Sequence, residues 1–144
     1  MHYRESIATQ DDVSGLFKDV FLFHWKEESQ HAVLDELEWL REDARLDDEA
    51  RDRAVDDFIA LVAGVDGMLQ SQAQADTAYF VAHKPQAGVL SAAEIEMVGA
   101  TVLAAYRWQY ILSGAQHPHF GKLLSSLITP AQMQRIQAAL GGLQ

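Results

Sequence analysis

The stretch FLFHWKEESQHAVLDELEW, residues 21–39, carries no proline or glycine and reads at a helical period. With His24 at zero and about 100° per residue, Glu28 falls at about 40°, His31 at about −20° and Asp35 at about 20°. Two imidazoles and two carboxylates therefore share one side of a helix. Phe17, Val20 and Phe21 precede them on the same line, and Trp39 follows. The polar residues thus extend a stripe that begins apolar, which predicts a partly buried polar face rather than the usual solvated back of an amphipathic helix. Buried imidazoles and carboxylates need partners, and a metal ion satisfies several at once. The alternative is a stripe that turns to solvent after Phe21. Glu38 and Glu42 continue near the same angle, and Lys26 and Glu27 make other sides of the segment polar too.

Helices extend outward from this stretch in both directions. Asp11 to Ser14 supplies the start of a first helix that runs to about Ala44. Asp47 or Asp48 then caps a second helix reaching about His83. Its apolar seam is Val55, Phe58, Val62, Val65 and Leu69. Gln72, Asp76, Tyr79 and His83 prolong that line as solvated or interfacial positions; if buried, Asp76 and His83 pair as a hydrogen-bonded network. KPQAGVL, residues 84–90, is a loop. Ser91 and Glu94 form a capping-box pattern that opens a third helix to about Ser113. GAQHPHFGK, residues 114–122, reads as a loop or turn. Thr129, Pro130 and Gln132 start a short last helix that ends at Gly141. No alternating strand pattern and no internal repeat appears. Two helices of about 30 residues would each be about 45 Å long, so the expected fold is all-α, an antiparallel bundle forming a single domain over 1–144.

Composition narrows the function. A net charge of −10 over 144 residues argues against neutralising phosphates, whether of nucleic acid or of an anionic membrane. The absence of cysteine removes disulfides, thiolate catalysis and thiolate metal sites. The first residues lack an apolar signal core, and the longest apolar run, FIALVAGV at 58–65, is too short to span a bilayer. The expectation is a cytoplasmic protein. No glycine-rich phosphate loop or serine nucleophile elbow is present. His117 and His119 flank Pro118 as a turn; Tyr106, Trp108 and Tyr110 have the spacing of core and interface aromatics; His2 falls in a mobile terminus.

His24-x-x-x-Glu28-x-x-His31 resembles the motif on a ligand helix of ferritin-like diiron oxygenases of the aminobenzoate N-oxygenase type. The resemblance implies a ferritin-like bundle of two long helices plus a third and a short C-terminal helix. It implies iron as cofactor, His24, Glu28 and His31 as ligands, and oxygen activation as chemistry. Such a site takes a second Glu-x-x-His from another helix, and this chain has none. It is similar to one half of the domain, so a homodimer, a separate partner, or a vestigial site in a non-catalytic oligomerisation module each follows. A hemerythrin-like reading fits only His24-x-x-x-Glu28. Within one chain, Asp35 is a further donor, and an antiparallel hairpin sets Glu28 level with about residue 64, which makes Asp66 the nearest carboxylate of the second helix. Asp66 also reads as a solvated residue that merely interrupts AGVDGM. His24 and His31 stand about 10 Å apart along the axis, which strains a single-ion site.

Overall fold

The computed structural model describes residues 3–83 and 90–143, except the Glu5 side chain. It is all-helical, with no strand among the described residues. A π-helical turn, Tyr3–Ile7, precedes α1 (Gly15–Asp43), α2 (Asp48–His83) and α3 (Ala92–Arg107). A second π-helical segment, Trp108–Leu112, leads through a single turn, α4 (Ser113–Ala115), into α5 (Pro118–Leu127) and α6 (Pro130–Leu140). The expected loop 84–90 lies outside the described residues but for Leu90, and His2 lies outside them too. No described helix is long and apolar enough to cross a membrane.

Local chemistry sets the helix starts. Ser14 Oγ accepts from the Phe17 amide, and Asp47 Oδ1 accepts from the Ala50 amide at 2.8 Å. Ser91 with Glu94 and Thr129 with Gln132 close complete capping boxes. GAQHPHFGK is not a loop: α5 occupies most of it. Pro118 has the preset φ that suits a first helical turn, and His117 Nδ1 accepts from the His119 amide in the role usually held by Asp or Ser.

The chain divides into two compact units, Met1–Asp52 and Arg53–Gln144. In the first, Tyr3 stacks on Trp25 at 6.1 Å between ring centres, the Arg4 guanidinium lies 4.7 Å from the Trp25 ring, and Ile7 is buried. Arg51 holds the Asp43 carboxylate at 2.8 Å and reaches the Asp43 carbonyl, tying the end of α1 to the first turn of α2. In the second unit the α2 seam is as expected as far as Leu69: Val55 is buried and Phe58, Val62, Val65 and Leu69 are half-buried. Beyond Leu69 it shifts by one position. Ala73 and Thr77 are buried, whereas Gln72, Tyr79 and His83 are exposed. Thr77 lies beside Gly99, where an added Cβ would sit 3.5 Å from the Thr77 hydroxyl. Leu124 of α5 and Ile136 of α6 are buried, and with Phe58 and Met133 they line an apolar cavity of about 590 Å³.

Candidate metal centre

α1 presents its polar stripe to solvent. None of its residues is buried; Phe17 and Val20, the expected start of a core face, are exposed, and Phe21 is half-buried. The stripe therefore does not continue a core. Its side chains pair along the helix at the four-residue spacing that brings neighbours together. His24 Nε2 lies 3.9 Å from Glu28 Oε1, and His31 Nε2 lies 3.1 Å from Glu27 Oε1. The contact with Glu27, followed by the charges of Glu28 and Asp35, raises the His31 pKa above its usual value.

His24, Glu27 and Glu28 each offer a donor atom within 4.8 Å of the other two. One imidazole and two carboxylates form a nitrogen–oxygen set that suits iron, manganese, zinc or cobalt and excludes no borderline divalent ion. Of the residues expected at the site, the structure thus brings His24 and Glu28 together. It sets His31 one turn further on, engaged with Glu27, and leaves Asp35 exposed beside it. Glu27 was not anticipated as a donor. The signal was there: Glu27 and His31, like His24 and Glu28, are four residues apart.

Asp66 has a different occupation. It is buried, 5% exposed, so it is not a solvated interruption of α2. Arg107 of α3 donates to both its carboxylate oxygens, at 2.6 and 2.9 Å, and Gln70 donates at 2.6 Å. The Arg107 guanidinium, more than the loss of solvent opposes it, holds the Asp66 carboxyl below the usual carboxylate range. A carboxylate so saturated is a structural ion pair. Asp76 does not pair with His83. It accepts hydrogen bonds from Tyr106 and from Gln72, the latter at 3.0 Å, while His83 stacks on Tyr79 and bonds its carbonyl. Tyr106 is half-buried, and Trp108 and Tyr110 are exposed, so these aromatics are not core. His117 and His119 stand edge to face, 6.5 Å between ring centres, with His117 Nδ1 spent as a helix cap.

Two hollows of the second unit offer no competing donor set among the described residues. The groove along Ala73, Thr77, Gly99 and Ala100, about 640 Å³, has Glu96 as its one titratable lining residue, and the apolar cavity at Phe58 has none. Comparison with protein-family models, with curated proteins and with solved structures finds no match for this chain.

Proposed function

We propose that this protein binds a divalent metal ion on α1 through His24, Glu27 and Glu28, with His31 and Asp35 adjoining, and that iron is the ion. The observation that carries the reading is the convergence of three donor atoms from three side chains within 4.8 Å. The residues fit the group: carboxylate oxygens and an imidazole nitrogen are the donors that ferrous iron accepts in non-haem sites. When bound, iron supplies redox chemistry toward oxygen, which is the activity the resemblance to diiron oxygenases implies. Glu27 and Glu28 balance the charge of the ion, His24 gives a neutral nitrogen donor, and His31 competes with the ion for Glu27 while it is protonated.

The same reading takes the architecture as an antiparallel, ferritin-like bundle. Contacts of Asp66 with Arg107 and of Thr77 with Gly99 support it: as α2 advances, its partners on α3 recede. The acidic balance supports a protein that has neither nucleic acid nor membrane as partner, and the lack of an apolar signal core in the first residues supports a place in the cytoplasm.

The test is metal content per chain by plasma mass spectrometry, on protein purified without tag or chelator. Stoichiometric iron that is lost in Glu28→Ala supports the proposal. Metal absent even after anaerobic iron loading, or retained unchanged in Glu28→Ala, overturns it. A second reading, a non-catalytic helical association module, is favoured by a separate observation: α1 exposes Leu16, Val20, Phe23, Val33, Leu34 and Leu37. A stable oligomer without stoichiometric metal would select it.

A further inference from the structure

The exposed apolar residues of α1 are ordered. Leu16, Val20, Phe23, Glu27, Gln30, Leu34, Leu37 and Arg41 follow one another at alternating spacings of four and three. Leu16, Val20, Phe23, Leu34 and Leu37 are all more than half exposed. The half-covered residues Lys18, Trp25, Glu36 and Trp39 lie on the opposite side of the helix. The open seam is thus a continuous face, apolar on either side of a polar centre at Glu27 and Gln30 and closed by Arg41 at its C-terminal end.

Read backwards, the seam matches itself over its six inner positions, and only the end pair, Leu16 with Arg41, joins unlike side chains. Val20 meets Leu37, Phe23 meets Leu34, and Glu27 meets Gln30 when the helix is laid against its own reverse. Parallel pairing would instead set each Glu27 carboxylate against its twin, unpartnered at a dry interface. The flanks of the seam differ in kind. Val33 and Leu40 extend one side; His24, Glu28, His31 and Asp35 line the other. A twofold axis that runs helices antiparallel keeps like flanks on the same side, whereas a parallel twofold sends them to opposite sides. We propose that α1 pairs antiparallel with α1 of a second copy, centred between Glu28 and Ser29, so that His24 and the partner's His31 stand together on one flank.

In that register the partner's His31 comes within about 3 Å of the level of His24 along the axis, where the chain's own His31 is about 10 Å away. The spacing that defeats a single-chain site is removed, and two equivalent clusters of histidine and glutamate arise. This part rests on the metal-binding reading above; the pairing itself rests on the seam. The carboxylates of both copies gather on the shared flank and repel one another, so a divalent cation should tighten the pair.

The experiment uses the full chain and manganese(II) ion alone as the probe. Sedimentation velocity is run from low micromolar concentration upward, in chelator and in manganese. The chain has no cysteine, so Ala44→Cys, at an exposed position, carries one nitroxide per protomer. A dimer is expected, tightened about tenfold or more by manganese, with nitroxides about 45 Å apart. Phe23→Asp and Leu34→Asp should each weaken it at least about 100-fold. Because both side chains are exposed in the single chain, helix content by circular dichroism should not change. A monomer at every concentration, nitroxides within about 15 Å as parallel pairing requires, or an undisturbed dimer in Leu34→Asp each overturns the proposal. A monomer that still binds manganese through Glu28 leaves the metal reading standing and removes the pairing. An antiparallel dimer indifferent to manganese and to Glu28→Ala keeps the pairing and removes the metal.

Discussion

Polar contacts along α1 are organised differently from those that join the helices of the second unit. Along α1 they join residues within four positions of each other: His24 with Glu28, Glu27 with His31, Glu38 with Arg41. Between the helices of the second unit they span the sequence: Asp66 with Arg107, Asp76 with Tyr106, Asp56 with Arg135. A contact within one turn decorates a helix that has already formed, and its partners stay wet and replaceable. A contact between helices fixes register, and its partners are spent. The difference explains why the metal reading settles on α1 although the buried carboxylate is Asp66. Donors available to a ligand are those the fold has not used.

The sharpest way to break this comparison is to cut one bridge of each kind. Arg107→Met strands the buried Asp66 carboxylate and should lower the unfolding free energy of the second unit by about 3 kcal/mol in urea titration. Arg41→Met, at an exposed bridge of α1, should change it by less than about 0.5 kcal/mol. Equal losses would show that the bridges are of one kind. Truncating the core beside the apolar cavity, Ile136→Ala, should cost about 2–3 kcal/mol, with the loss confined to the second unit.

Acid titration probes the same contrast without mutation. The folded-state pKa of Asp66 lies below the unfolded value, so its stabilisation is complete above the ordinary aspartate pKa and is lost as pH falls through the lower folded one. His31 runs the opposite way. Its raised pKa favours the protonated helix, so its contribution is present below the usual histidine range and disappears as pH rises through the folded value. Acid should therefore weaken the second unit, by a calorimetric scan below pH 4, while Arg107→Met shows a flattened profile. Removal of the α3 cap by Ser91→Ala should cost about 1 kcal/mol, since the hydroxyl serves one amide and holds Glu94 in place. The smallest effect should be a gain. Gly64→Ala meets nothing within 4 Å and should stabilise α2 by about 0.5–1 kcal/mol, more than Gly99→Ala, whose new methyl group meets Thr77.

The helix boundaries were legible because caps are local. Ser14, Asp47, Ser91 with Glu94 and Thr129 with Gln132 all sit where their side-chain chemistry demands. The α2 seam was legible as far as Leu69 because a period needs no knowledge of what it packs against. Three things were not legible, each for a physical reason. Asp66 is buried by a partner 41 residues away, and no short-range pattern announces such a pair. α5 is capped by histidine, a residue whose capping role depends on tautomer rather than identity. The direction faced by the α1 stripe could not be read either, because a run of apolar side chains looks the same whether it meets the chain's own core or nothing at all.

The separation of contacts along the sequence also sets times. The pairs His24–Glu28 and Glu27–His31 on α1 each close over four residues, so they are complete once the helix is wound, on the order of a microsecond. The Asp66–Arg107 bridge waits for the closure of a loop of 41 residues, and its register arrives with the docking of α3. α1 can therefore fray and rewind with its donors re-formed each time, whereas freeing Asp66 requires α3 to undock from α2. A surface that reassembles this quickly can meet an ion or a second chain before the rest of the molecule has finished folding.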